Sequence, residues 1–237
     1  MTESTIRSPR LPWRARAGNH LMWDTIGASQ ISLLVLFFGL RERHKLLEIG
    51  AGTLRAARFL IPNLDVGNYC GVEPKEQSVE LGIRHELGEE MAARKQPRFS
   101  TREDFVFDEF GEKFDYALSY SVLTHTAPPQ VTKFFEGLAP VMHDQSIALV
   151  TAAVAPEERI VDPEKWTALP VNYYSEARIT DEAARVGLRV ERLGQVFQDW
   201  FVAFKEPNPI ATAGSRAMRA VQWWTVTPQW EDPGWSR

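Results

Sequence analysis

Residues 46–73 read LLEIGAGTLRAARFLIPNLDVGNYCGVE, and this stretch decides the fold of the 237-residue chain. A short apolar run, Leu46–Ile49, ends at two closely spaced glycines. The residues from Thr53 to Ile61 carry apolar side chains at helical spacing, and a second apolar run ends at Glu73. This order predicts a strand, a tight turn, a helix and a second strand.

The two glycines of the turn predict where a ligand binds. Gly50 and Gly52 allow a ligand to approach backbone N–H groups at the start of a helix. Glu73 ends the next strand, where a carboxylate can accept hydrogen bonds from both hydroxyls of a ribose. The stretch therefore predicts a site for a cofactor that contains adenosine.

Two charged residues beside the turn indicate which cofactor this is. Arg55 stands where a dinucleotide-binding turn carries a third glycine, which lets helix and strand pack closely below a pyrophosphate. Glu48 places negative charge where that pyrophosphate would lie. S-adenosylmethionine (SAM) has no phosphate, and its cationic sulfonium and amino groups suit a carboxylate better. We therefore expect SAM as the cofactor and S-adenosylhomocysteine (SAH) as its product.

Three segments resemble motifs of the class I SAM-dependent methyltransferases. They are E-x-G-x-G at residues 48–52, GVE at residues 71–73 and FDYALSYSVLTHTAPPQVTKFFEGLAPVM at residues 114–142. The chain is more narrowly similar to a bacterial subgroup of small-molecule methyltransferases. The resemblance implies an α/β, Rossmann-like fold, a seven-stranded, mostly parallel sheet with helices on both faces. One departure is His-Asp-Gln-Ser at residues 143–146, where a glycine-rich turn is usual before the fifth strand.

The chain is expected to contain three consecutive parts. Residues 1–44 would form an arm and a helical cap, residues 45–205 the SAM-binding methyltransferase domain, and residues 206–237 a Trp-rich extension. The tryptophans of the extension are expected to pack on the core or on a second subunit, or to form a lid for an apolar or sugar-like substrate. They are Trp223, Trp224, Trp230 and Trp235.

Apolar spacing also predicts individual elements outside the motifs. A helix is expected from about His20 to Leu40, with Gly27 as a potential break. One long helix is predicted from Glu76 to Arg94, and the fifth strand from Ser146 to Ala152.

Composition and charge exclude several classes of function. With 44% hydrophobic and 24% charged residues the chain is globular rather than disordered, and a net charge of -4 provides no global basic field for nucleic acid. The lone Cys70 precludes an internal disulfide, and the apolar run Ile31–Leu40 is too short to span a bilayer. We expect a cytoplasmic protein with a small-molecule partner, no membrane contact, and a possible homodimer.

The predicted cofactor residues come from the turn and from the ends of predicted strands. Glu48 would face the amino end of the methionine moiety, and Glu73 the ribose hydroxyls. Asp104, or its neighbour Glu103, would accept a hydrogen bond from the adenine amino group. The full predicted set is Glu48, Gly50, Ala51, Gly52, Thr53, Glu73, Asp104, Ser119 and Tyr120.

Candidates for catalysis and acceptor binding rest on weaker patterns. His125, just past the fourth strand, is the first candidate for a general base, because a neutral imidazole can take a proton near pH 7. It could instead only brace the following helix; His143 is the second candidate. Trp23, Tyr173 and Tyr174 are predicted to wall the acceptor pocket, the alternative being that they are core residues. Because His, Asp and Glu residues lack close ligand spacing, we expect no metal site.

Three functions remain open at the level of sequence. The first is methylation of a small molecule at oxygen, such as a natural product or a sugar-bearing metabolite, with N-methylation as an alternative. The second is methylation of protein or RNA with help from the arginines of the N-terminal arm, Arg7, Arg10, Arg14 and Arg16. The third is a non-catalytic SAM-binding or scaffold protein that uses its Trp-rich extension as a partner surface.

Overall fold

The computed structural model describes residues 12–15 and 22–221. The helices are α1 (Pro12–Ala15), α2 (Trp23–Phe38), α3 (Ala57–Asn63), α4 (Glu76–Gly82), α5 (Glu89–Lys95), α6 (Pro128–Leu138), α7 (Glu176–Arg185) and α8 (Pro209–Ala220). The strands are β1 (Leu46–Ile49), β2 (Tyr69–Val72), β3 (Arg98–Ser100), β4 (Phe114–Ser119), β5 (Met142–Ala152), β6 (Arg189–Val196) and β7 (Gln198–Phe204). The four tryptophans of the C-terminal extension lie outside the described residues.

The seven strands form one sheet in the order β3-β2-β1-β4-β5-β7-β6. The first five strands of the chain pair in parallel, whereas β7 runs antiparallel to both β5 and β6. This confirms the predicted fold class, including the reversed last strand. The carboxyl ends of the parallel strands share one edge of the sheet, which we call the carboxyl edge, and in open α/β sheets ligands bind at this edge.

Two hydrophobic cores lie on opposite faces of the sheet. Successive residues of β1 alternate between them, so Leu46 joins one core and Leu47 the other. Buried residues of α2, α3 and α8 fill the first core, and those of α6 and α7 fill the second. The C-terminal extension thus begins with a helix, α8, that packs on α2, where a Cβ on Gly214 would lie 2.6 Å from the Phe37 carbonyl.

Two predicted helices have other bounds in the structure. The helix after the glycine turn begins at Ala57 rather than Thr53, because Leu54 has a left-handed φ of 64° that no helix can contain. The long helix predicted from Glu76 is interrupted by a π-helical turn, Ile83–Leu87, and then by Gly88 at a φ of 90°.

Gly27 does not break the first long helix, because α2 is continuous through it. A Cβ at Gly27 would lie only 2.6 Å from the Arg55 carbonyl, so this glycine allows close packing on the glycine turn. The predicted loop at residues 143–146 belongs to β5, where a register shift accommodates it and the Ser146 hydroxyl donates to the Phe114 carbonyl at 2.6 Å. No helix within the described ranges is both long and apolar enough to cross a membrane.

Candidate cofactor and acceptor site

The glycine turn leaves β1 at the carboxyl edge. The N–H groups of Gly50 and Ala51 donate to the Val72 carbonyl at 2.8 and 3.1 Å, which ties the turn to the end of β2. Gly50 and Gly52 have φ angles of 82° and 55°, in the left-handed region that favours glycine. A Cβ on Gly50 would also lie 2.5 Å from a methyl group of Val122, so this position requires glycine for two reasons.

Glu73 lies beside the turn, as predicted from its position after β2. Its carboxylate accepts hydrogen bonds from the backbone N–H groups of Gly52, at 2.9 Å, and Lys75, at 3.1 Å. An ionised carboxylate has about four acceptor positions. Glu73 therefore keeps acceptor capacity beyond the two bonds that orient it.

Glu48 is buried below the turn, at 4% exposure. The Tyr69 hydroxyl donates to it at 2.6 Å. Burial raises the pKa of Glu48 to about 7, against the opposing effects of the Tyr69 hydrogen bond and the nearby Arg55 charge. The Glu48 carboxyl therefore titrates in the neutral pH range.

Arg55 lies in the same buried region, at 9% exposure. Its guanidinium stands over the Tyr120 ring at 4.7 Å and over the Trp23 ring at 5.5 Å. Burial raises the pKa of Tyr120 to about 12, which keeps its hydroxyl protonated. Trp23 is fully buried, so in this arrangement its ring supports Arg55 and does not form the open pocket wall that we expected.

Ser119 ends β4 next to the turn, since it is paired with Ile49 of β1. Its side chain is 1% exposed, and its Oγ has no hydrogen-bond partner among the described residues. A buried polar atom without a partner is costly in a folded protein. The Ser119 hydroxyl is therefore a candidate for contact with a ligand beside the glycine turn.

His125 follows β4 by one turn of chain and is half-buried. Its Nδ1 contacts the Thr167 carbonyl at 2.8 Å, and the Thr167 N–H donates back to the His125 carbonyl at 2.9 Å. Its ring packs against Trp166, with 5.3 Å between centroids. Burial lowers the pKa of His125, an effect opposed by the carbonyls of Thr167 and Ala168, so the imidazole is neutral at pH 7.

Comparison with known protein families agrees with this geometry. Residues 47–147 match a family model described as a methyltransferase domain. Residues 47–147 are thus similar to methyltransferase domains, and this stretch is less than half of the chain. Comparison with curated proteins gave no match.

Solved methyltransferase structures share the fold of this domain. Magnesium protoporphyrin IX methyltransferase (ChlM) from Synechocystis, crystallised with SAM, is 18% identical at a TM-score of 0.61, covering 82% of this chain and 89% of that one. DesVI of Streptomyces venezuelae is 12% identical (TM-score 0.59; 82% and 95% covered). The sugar N-methyltransferase KedS8 from a Streptoalloteichus species is 13% identical (TM-score 0.58; 82% and 91% covered).

The other predicted cofactor residues differ in how deeply they are buried. Thr53 is fully buried, and its hydroxyl donates to the Trp13 carbonyl at 3.1 Å. Asp104 is exposed and bonded to Arg102, which lowers its pKa. It lines a groove with the carboxyl-terminal half of α6. Among the described residues its carboxylate accepts hydrogen bonds from Arg102 and from the Val106 N–H, and none from the glycine turn. Its predicted role at the adenine stays a prediction, as does that of the exposed Glu103.

The position of His143 does not fit a catalytic role beside the glycine turn. It lies near the start of β5, where its Nε2 contacts Asp115 at 3.0 Å and its Nδ1 accepts from the Gln145 N–H at 3.1 Å. The stretch of β5 from His143 to Val150 spans roughly 20 Å at the usual rise per residue. Because Val150 is level with the end of β4, His143 lies at the opposite edge of the sheet from the glycine turn.

The two predicted acceptor-binding tyrosines differ in their surroundings. Tyr174 is fully buried in the second core, and its hydroxyl donates to the Thr126 carbonyl at 2.5 Å. The prediction that Tyr174 walls the pocket is therefore corrected, because both ring and hydroxyl are used for packing. Tyr173 is only partly buried, with the Arg159 guanidinium 4.0 Å from its ring centroid.

A polar network that the sequence did not predict lies at the carboxyl edge of the sheet. Gln198 of β7 donates to the Ser121 hydroxyl at 2.8 Å and accepts from the Thr151 hydroxyl at 2.7 Å. The Thr151 hydroxyl in turn accepts from the Ser121 N–H at 2.8 Å, and Ser121 has a left-handed φ of 62°. We call Ser121, Thr151 and Gln198 the edge network. The one available signal was the polar pair Gln198-Asp199 at the start of an otherwise apolar strand.

No group of three or more His, Cys, Asp or Glu side chains within residues 12–15 and 22–221 is arranged to hold a metal ion. The expectation of metal-free chemistry therefore remains a prediction that only an experiment with chelators can test.

Proposed function

We propose that this protein is a SAM-dependent methyltransferase that acts on a hydroxyl oxygen of a small molecule, such as a natural product or a sugar-bearing metabolite. When bound, SAM supplies a methyl group on a cationic sulfonium. The observation that carries the proposal is Glu73, whose carboxylate is oriented by the glycine turn and keeps acceptor capacity at the carboxyl edge. This arrangement suits the two hydroxyls of a ribose.

The buried residues around the turn support the same cofactor. Ser119 offers a hydroxyl without a partner next to Gly50. Glu48 offers a carboxyl whose pKa of about 7 leaves it ready to ionise beside a cation. The Glu48 carboxylate can accept hydrogen bonds from the ammonium group of an amino acid moiety, and the Arg55 guanidinium can donate to its carboxylate.

His125 is the residue of this chain that we propose to take the acceptor proton. Its Nδ1 proton points at the Thr167 carbonyl, because a carbonyl can only accept, and the neutral ring then carries its lone pair on Nε2. The lowered pKa of His125 keeps the ring neutral. Val122 connects this residue to the cofactor site, since its carbonyl accepts from the His125 N–H at 2.9 Å and its side chain touches Gly50.

The net charge of the chain and the similar structures both support a small acceptor molecule. The net charge of -4 gives no global attraction for a nucleic-acid backbone. Two of the similar structures are methyltransferases named for small molecules, a magnesium porphyrin and a sugar. A cytoplasmic location, a homodimer and the three-part division at residues 44 and 205 stay predictions.

Isothermal titration calorimetry with SAH, and with NAD⁺ as the control, tests the cofactor. Micromolar binding of SAH alone is the expected result, and failure to bind SAH, with or without binding of NAD⁺, would refute the proposal. Release of SAH from SAM is then measured with paired acceptors that differ only in a hydroxyl or an amine at one position. Turnover of the amine alone would replace oxygen by nitrogen as the acceptor atom.

A further inference from the structure

A buried carboxylate on the π-helical turn holds the short helix α1 in place. The Glu86 side chain is 2% exposed, and it accepts hydrogen bonds from Trp13 Nε1 at 2.7 Å and from Arg14 Nε and Nη2 at 2.6 and 2.9 Å. Arg58 of α3 adds a longer contact at 3.3 Å. Most of the donors around Glu86 thus come from α1.

The same helix contacts the cofactor site. The Trp13 carbonyl accepts from the hydroxyl of Thr53, the residue that follows Gly52 of the glycine turn. The Trp13 ring stacks on His85 with 4.1 Å between centroids, and the Arg14 guanidinium stands 5.6 Å from the Trp23 ring. Helix α1 therefore joins the π-helical turn to the glycine turn.

The buried Glu86 carboxylate makes detachment of α1 unfavourable in free energy. A buried carboxylate that loses its donors pays a large desolvation penalty, so it favours the state in which they are present. If α1 detaches, Glu86 keeps one hydrogen-bond partner among the described residues, which is Arg58. The π-helical geometry is relevant because such turns recur at functional positions in helices.

We propose that Glu86 is a positioning residue of the cofactor site, which fastens α1 against Thr53 so that docking of α1 and binding of the cofactor strengthen each other. This inference rests on the proposed function. The Gly52 N–H is held by Glu73, and Thr53 is the next residue, so a docked α1 fixes the turn in its binding geometry. A bound cofactor that holds the turn still favours the docked helix in the same way.

Thermodynamic linkage gives this proposal a quantitative form. If docking of α1 raises the affinity for SAH by some factor, SAH must shift the docking equilibrium of α1 by the same factor. The two factors can be measured separately, one by calorimetry and one by proteolysis. A merely structural role for Glu86 would lower stability without producing this equality.

The experiment compares the full chain with Glu86→Gln and with the control Glu80→Gln. Glu80 is exposed on α4, the helix that precedes the π-helical turn. The side-chain amide of the Glu86→Gln variant presents N–H groups to the donors of α1, so we expect the dissociation constant for SAH to rise about tenfold, which corresponds to ~1.4 kcal/mol. Glu80→Gln is expected to bind SAH as the unchanged protein does.

Trypsin cleavage between Arg14 and Ala15, followed by mass spectrometry, reports the docking of α1. The Arg14 side chain is 19% exposed when docked, so cleavage requires detachment. We expect Glu86→Gln to be cleaved faster, and saturating SAH to slow cleavage in the unchanged protein by about the factor found by calorimetry. Trp13→Phe, which keeps the ring but removes the N–H donor, should show a smaller change in the same direction, and it serves if Glu86→Gln fails to fold.

The outcomes separate this inference from the proposed function. If the unchanged protein does not bind SAH, both are refuted. If it binds SAH but the folded variants bind equally well, or if SAH leaves cleavage after Arg14 unchanged, the role of Glu86 is refuted and the proposed function stands.

Discussion

The glycine turn and the edge network lie at the same edge of the sheet but are built in opposite ways. The turn is held mainly by backbone groups of residues 50–52 and 72–75, and its bond from Gly52 to Glu73 joins residues 21 positions apart. The edge network consists largely of side-chain bonds between residues far apart in sequence, such as Ser121 and Gln198. One continuous stretch of sequence can therefore specify the glycine turn, whereas the edge network depends on how distant strands come together.

The largest expected effect is on the backbone of the turn. Gly50→Ala combines a left-handed φ with a clash against Val122, so we expect the free energy of unfolding to fall by about 2–4 kcal/mol and SAH binding to be lost. Chemical denaturation and calorimetry measure both. Gly67→Ala is the matched control, because Gly67 has a φ of 79° with nothing within 4 Å of a Cβ. Equal losses in the two variants would mean that packing against Val122 is unimportant.

The next effect concerns Glu73, whose carboxylate accepts a hydrogen bond from the Gly52 N–H of the turn. Glu73→Ala removes an acceptor proposed for the ribose, so the dissociation constant for SAH should rise about 10- to 100-fold. Calorimetry measures this, with the exposed Glu80→Ala as the control. An unchanged affinity for SAH would remove Glu73 from the site.

The buried carboxyl below the turn predicts a pH dependence. With a pKa of about 7, Glu48 is protonated in the free protein below that pH, and a bound cation favours its ionised form. Binding of SAM therefore releases a proton below pH 7, so its affinity should rise about tenfold per pH unit up to pH 7 and then level off. Calorimetric titrations at pH values from about 5.5 to about 8.5, which bracket this pKa, would show this change in affinity. A slope that persists in Glu48→Gln would assign it to another group.

The smallest effect on cofactor binding is expected from the edge network. Gln198→Leu removes hydrogen bonds to Ser121 and Thr151, and the free energy of unfolding should fall by about 1–2 kcal/mol. Affinity for SAH should stay within about twofold, since the network lies across the edge from Glu73. Denaturation and calorimetry give both values. A loss of SAH binding as large as that of Glu73→Ala would erase the distinction between the two regions.

The same contrast explains how far sequence could predict this molecule. The alternation of strands and helices along the chain, the glycine turn and the position of Glu73 after β2 follow from short-range patterns, and the structure has them. Burial cannot be read from such patterns, so the sequence leaves Tyr174 open between a pocket wall and the core, and it lies in the core. The position of His143 along the sheet also differs from the prediction, because β5 begins at Met142 and includes the residues that were expected to form a loop.

The placement of β7 against β5 determines which chemical group reaches the carboxyl edge, and β7 enters the sheet directly from a tight turn after β6. Val196 and Gln198 are paired, so Phe197 alone makes the turn, with a left-handed φ of 63°. Side chains alternate along a strand, so a slip of one residue would exchange Gln198 for Asp199 beside Thr151. The register of β7 against β5 thus determines whether a neutral amide or an acid lies beside the Thr151 hydroxyl.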